Sequence, residues 1–181
     1  MIRAFVALAL ASAATATASA STNDTLSSNS SWWEKVTVTI SGDGLPQSCT
    51  FQSSLVAGHK TCDIDSTQAS YAESKSSGSK DQYTRITFER RFSPGPQAEI
   101  TGVGAGEKFL GGQVMALAID AKGAVKGCKV VASSGSMTPD YSCDDASAEK
   151  FDASASAGHA NAPAREGYMT LLVYGHSEHM V

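Results

Sequence analysis

Four cysteines, Cys49, Cys62, Cys128 and Cys143, stand behind an N-terminal stretch that reads as an export signal, and this limits the fold more than any other feature. Residues 1–20 carry Arg3, then an apolar run from Ala4 to about Ala14, then Ala18-Ser19-Ala20, with small residues where a signal peptidase cuts. The apolar run is about half the ~20 residues that a membrane span needs. The expectation is a chain that is cleaved near Ser21 and does not span a membrane afterwards. An even number of cysteines in an exported chain reads as a disulfide framework. Four cysteines allow three pairings. None of the spacings is CxxC, which argues against a zinc knuckle or a thioredoxin-type site.

Past a polar leader at 21–31, expected to be disordered, the sequence alternates. Val36, Val38 and Ile40 oppose Lys35, Thr37 and Thr39. A Gly turn follows, then a strand near Gln47–Ser53 that contains Cys49. A weak helix signal lies near Ser66–Glu73, and Tyr83 to Phe92 alternates again. Residues 94–111, rich in Gly and Pro, read as a linker. Their GVGAGEK lacks the Gly-Lys-Ser/Thr of a phosphate loop. The order then restarts. Gln113 to Asp120 is a strand apolar on both faces, which suits a central position. Val125 to Ser133 contains Cys128, Thr138-Pro139 reads as a helix start, and Gly167 to Gly175 is a strong last strand.

A shift of 79 residues lays Ile40 on Ile119, Gly44 on Gly123 and Cys49 on Cys128. Small insertions then bring Cys62 onto Cys143 and Tyr83 onto Tyr168. We read this as an internal duplication. Two self-contained modules select the pairing Cys49–Cys62 and Cys128–Cys143. Modules this small bury little surface, and staples of this kind stabilise them.

Gly112–Gly135, GQVMALAIDAKGAVKGCKVVASSG, resembles the C-terminal domain of the TonB family. The matching pieces are Gly112-Gln113-Val114, the turn Asp120-Ala121-Lys122-Gly123-Ala124-Val125, and Ser133-Ser134-Gly135, with a helix candidate and Gly167–Gly175 following in order. The resemblance covers about residues 111–177, with a degenerate second copy at about 32–92. It implies an α+β fold of two tandem ββαβ modules with mainly antiparallel sheets, each stapled by one disulfide. The modules would span 32–93 and 112–177, with a tail at 178–181. It also implies a periplasmic or secreted protein that binds a peptide or envelope partner by β-strand addition, in the setting of an outer-membrane transporter. The pairing edge would be the last strand: Tyr168, Met169, Thr170, Leu171, Leu172, Val173 and Tyr174. The chain lacks the family's long Pro-rich spacer, so energy transduction is not implied. If the two modules pair those last strands with each other, the edge is consumed. A structural or envelope-assembly role without peptide binding then takes precedence.

A formal net charge of -4 and the lack of a basic run argue against nucleic-acid binding. Neither GxSxG nor HExxH occurs. His176-Ser177-Glu178-His179 reads as a solvated tail rather than a metal site. The expectation is a protein without catalysis, cofactor or metal.

Overall fold

The structure is a computed structural model and describes residues 25–42, 45–62, 83–95, 104–154 and 162–177. The expected signal peptide, the helix candidate at Ser66–Glu73 and the tail from Glu178 lie outside them. The strands are β1 (Trp32–Ile40), β2 (Pro46–Ser53), β3 (His59–Thr61), β4 (Arg85–Pro94), β5 (Glu107–Ile119), β6 (Val125–Gly135) and β7 (Arg165–His176). Among the described residues there is one helix, α1, at Cys143–Ala148. The strands form a single seven-stranded sheet in the order β3-β2-β1-β4-β7-β5-β6, with every pairing antiparallel.

This corrects the expected α+β fold of two tandem ββαβ modules. Among the described residues the regular structure is nearly all strand, with one helix of six residues. That helix starts later than Thr138-Pro139 suggested. Ser142 caps it, accepting from the amides of Asp144 and Asp145, while the Asp145 carboxylate accepts from the Ser142 amide. Nor are the halves separate sheets. β4 pairs with β7 over ten residues, from Arg85↔His176 to Pro94↔Gly167, so the two last strands satisfy each other's edges. The linker expected at 94–111 is partly strand, because β5 begins at Glu107 and pairs with the end of β7.

The two halves keep one hairpin register. Val38 faces Cys49 across β1–β2, and Leu117 faces Cys128 across β5–β6, at the same 79-residue shift. The disulfides are Cys49–Cys62 and Cys128–Cys143, as the duplication selected. The last strands align differently from the sequence reading. Val36 faces Phe88, and its counterpart Met115 faces Met169, so Phe88 corresponds to Met169. Tyr83 and Tyr168 are therefore not equivalent. Tyr83 precedes β4 and its ring lies over Gly175, where an added Cβ would come within 2.5 Å. Tyr168 sits inside β7 opposite Ser93 and Ala116.

Strand alternation sends Trp32, Phe92, Met115, Leu117, Ile119, Met169 and Leu171 to one side of the sheet, where α1, Val125 and Phe151 pack on them. Trp32 stacks on Phe92 at 5.7 Å, and Phe92 meets Phe151 at 5.1 Å. Ile40, Ile86, Leu110, Met137 and Val173 continue this layer. The expected disordered leader is ordered from Thr25. Leu26 is buried in the same layer and bridges Phe151, with its amide donating to the Lys150 carbonyl. An apolar residue in a polar run is enough to anchor a strap when a complementary gap lies beside it.

Candidate functional site

The expected pairing edge does not exist as an edge. β7 lies between β4 and β5 and is paired along both sides. Met169, Leu171 and Val173 point into the core, and Thr170, Leu172 and Tyr174 are buried on the opposite side. The high strand propensity of this segment reflects a central strand, which needs apolar residues on both faces. Cys49, Cys62, Cys128 and Cys143 are all taken up in structural bridges.

The structure brings together a group of residues that the sequence reading did not single out. It lies on the side of the sheet away from α1, around an open groove of about 410 Å³. Lys35, Glu89 and Leu172 form one row across β1, β4 and β7, and Thr37, Thr87 and Tyr174 form the next. Glu89 is only 3% exposed. Its carboxylate accepts from the Tyr174 hydroxyl at 2.9 Å and from Arg91 Nε at 2.6 Å, with Lys35 Nζ at 3.6 Å. Three partners offset the cost of holding a carboxylate out of water. Burial, then the hydrogen bond to Glu89, push the Tyr174 phenol above its ordinary range. The Arg91 guanidinium is raised chiefly by its bond to Glu89. Thr37 and Thr87 share a hydroxyl hydrogen bond at 3.2 Å.

A signal for this group was present in the sequence as the polar faces Lys35-Thr37-Thr39 and Arg85-Thr87-Glu89. Nothing local said that these faces sit side by side, since β1 and β4 are separated by a hairpin and a long segment.

Arg90, the neighbour of Glu89, points the other way and ties the halves together. It bonds Glu34 in the first half through Nε at 3.1 Å, and Glu149 and Tyr141 in the second half. Its ring contacts are Trp32 at 5.3 Å and Tyr141 at 5.5 Å. Burial alone would lower its pKa, but the facing Glu34 and Glu149 carboxylates reverse this and hold it above the ordinary value. Burial and Glu149 likewise raise Tyr141. These groups are saturated by one another, so they read as a fastening rather than as a reactive site.

His176 ends β7 with its ring against Gly106, and the described residues place no metal-ligating group of three around it. The sheet's own edges differ. β3 is three residues long and held beside Cys62. β6 is eleven residues long, and everything from Lys129 to Gly135 is exposed, including Val130 at 44% and Val131 at 46%.

Among the described residues, the fold and these surfaces define a class only: a disulfide-stapled antiparallel sheet protein with a long free edge at β6 and a polar groove. Two disulfides, and no helix among the described residues long and apolar enough to cross a membrane, are compatible with an extracellular or periplasmic protein. Comparison with protein-family models, with curated proteins and with solved structures finds no match.

Proposed function

We propose that this chain is an exported, non-catalytic binding protein of the cell envelope, and that it takes up an extended segment of a protein partner by β-strand addition at β6. The observation that carries this reading is the β6 edge. It has one paired side, against β5, and its outer half is solvent-exposed with two valines uncovered. A long free edge is a template for another strand, and here a bulge at Val131 and the exposed Lys126 and Lys129 limit indiscriminate pairing, which favours a particular guest. An incoming strand would supply backbone hydrogen bonds, and side-chain contacts would set its identity. Val130 and Val131 suit apolar residues of a guest, and exposed Lys126 and Lys129 suit acidic ones. The β4–β7 seam consumes the last-strand edge, the outcome in which a structural role was expected to take precedence. Peptide binding is proposed here only because β6 offers a different edge, on the hairpin that carries the TonB-like pattern, and it rests on β6 alone. Periplasmic residence and cleavage near Ser21 belong to the same proposal.

The test uses Ala132→Pro and Ser133→Pro, next to each other in the regular register opposite Val114 and Gln113. Neighbouring amides point in opposite directions, so one variant loses a bond to β5 and the other loses only an outward donor. The outward variant is expected to stay folded and lose capture of envelope partners. A captured wild-type partner should protect the amides of Lys129–Ser133 from hydrogen exchange. Unchanged capture by both folded variants, or protection elsewhere, overturns the reading. A second reading then takes its place, supported by the β4–β7 seam: a structural envelope protein whose former edges are spent on each other.

A further inference from the structure

On the side away from α1, one row across the sheet carries a hydroxyl on five neighbouring strands: Thr61, Thr50, Thr37, Thr87 and Tyr174. Thr37 and Thr87 bond each other and Tyr174 donates to Glu89, so the open hydroxyls of the row lie toward the exposed Thr50 and Thr61. With strands about 4.8 Å apart, the row is about 19 Å long. The adjoining row carries Lys35, and the row beyond it carries Arg91. Arg91 is fixed through Nε to Glu89, and among the described residues neither of its Nη atoms has a hydrogen-bond partner. A guanidinium that is held in place with its fork unused is suited to a carboxylate or phosphate. The groove has three cations, Lys35, Arg85 and Arg91, against Glu89 and Glu107. The Glu89 charge is already spent on its partners.

We propose that this groove binds an acidic saccharide, with sugar hydroxyls along the threonine row and the acidic group at Lys35 and Arg91. Among the described lining residues Leu172 is the only large aliphatic side chain, which disfavours an apolar ligand. A threonine hydroxyl both donates and accepts, and so does a sugar hydroxyl. A small inorganic anion would engage Arg91 and leave the row unused. The proposal is independent of the β6 edge, since β6 contributes nothing to this groove.

The experiment is an amide NMR titration of the mature chain with a galacturonic acid oligomer, a neutral glucose oligomer, inorganic phosphate and a short single-stranded oligonucleotide. Shifts are expected at Lys35, Thr37, Thr87 and Arg91, with the acidic oligomer bound at least about tenfold more tightly than the neutral one. Lys35→Gln and Arg91→Gln should each weaken it by about tenfold. Thr37→Val, which removes one hydroxyl, should weaken both oligomers. Lys35 also pairs with the buried Glu89 carboxylate, so the melting temperature of each charge variant is measured beside its affinity. Thr50→Val, at an exposed position of the row that takes part in no ion pair, separates binding from folding. No binding at millimolar concentration overturns the proposal, as do shifts outside the groove or unchanged affinity in both charge variants. Equal binding of phosphate or of the oligonucleotide also overturns it, because either would show a surface for anions in general.

Discussion

In the first half of the sheet, β1 turns Val36, Val38 and Ile40 toward the core and leaves Lys35, Thr37 and Thr39 on the other side. In the second half, β5 has Met115, Leu117 and Ile119 on one side and Val114, Ala116 and Ala118 on the other. The hairpin register is the same in both, down to the cysteine opposite Val38 or Leu117. What changed is the cover. The second half received α1, Phe151 and the Leu26 strap, and it supplies most of the large core cluster. The first half has one polar face, and there Glu89 and all of the hydroxyl row but Tyr174 sit. Two halves with the same hairpin register can thus divide their work, with one holding most of the core and the other presenting polar chemistry.

The strongest challenge to this division is Phe92→Ala. Phe92 belongs to β4 of the first half, yet it packs on Met115, Met169 and Phe151 of the second. Its loss should cost about 3–5 kcal/mol. Unfolding should remain one transition whether followed by tryptophan fluorescence, which reports Trp32 and Trp33, or by far-UV circular dichroism. Two separated transitions would show that the halves are independent units after all.

Next comes the comparison of the bridges. Replacing Cys128 and Cys143 by Ala, or Cys49 and Cys62 by Ala, opens loops of 15 and 13 residues. Each should cost about 3 kcal/mol by the loop-entropy account. Only the first replacement should also loosen α1, because Cys143 is its first residue. Hydrogen exchange at Ala146–Ala148 would register the difference, and equal exchange in the two variants would remove it.

Glu89→Gln probes the polar face with a smaller effect. Burial and the Glu89 carboxylate both hold the Tyr174 proton on. Removing the charge should lower the Tyr174 pKa, read by ultraviolet titration against a Tyr174→Phe control. An unchanged titration would mean that burial alone sets it.

The smallest effect concerns the strap. The Asp152 carboxylate is raised by its partial burial, but hydrogen bonds from the Ser28 hydroxyl and amide, with Arg165 nearby, bring it below the ordinary 3.8. A depressed carboxylate stabilises the fold fully above its unfolded value and loses that contribution as pH falls through the lower folded value. Leader release should therefore appear only below about pH 4. Asp152→Asn should flatten this acid dependence and raise proteolysis near Ser28 at neutral pH.

Much of the strand content was legible, because alternation is local: β1, β2, β4, β6 and β7 fall within a few residues of their expected positions. The disulfide pairing was legible through the repeat. The β6 edge and the groove were not, since both are properties of strand order. Val130 and Val131 read as an ordinary strand until β6 is found to be outermost, and Tyr168–Tyr174 read as an edge until β4 is found beside it.

The sequence by itself determined where the chain is extended, where it turns, and which cysteines share a module, because these depend on residues near one another. Only the tertiary structure decided that the two last strands pair, that β7 is central, and that Lys35 meets Glu89. Backbone hydrogen bonding is indifferent to side-chain identity, so any strand can satisfy any free edge. Which edges meet is settled by the packing of both faces at once, with Phe92 over Gly167, Tyr83 over Gly175, and Arg90 between Glu34 and Glu149.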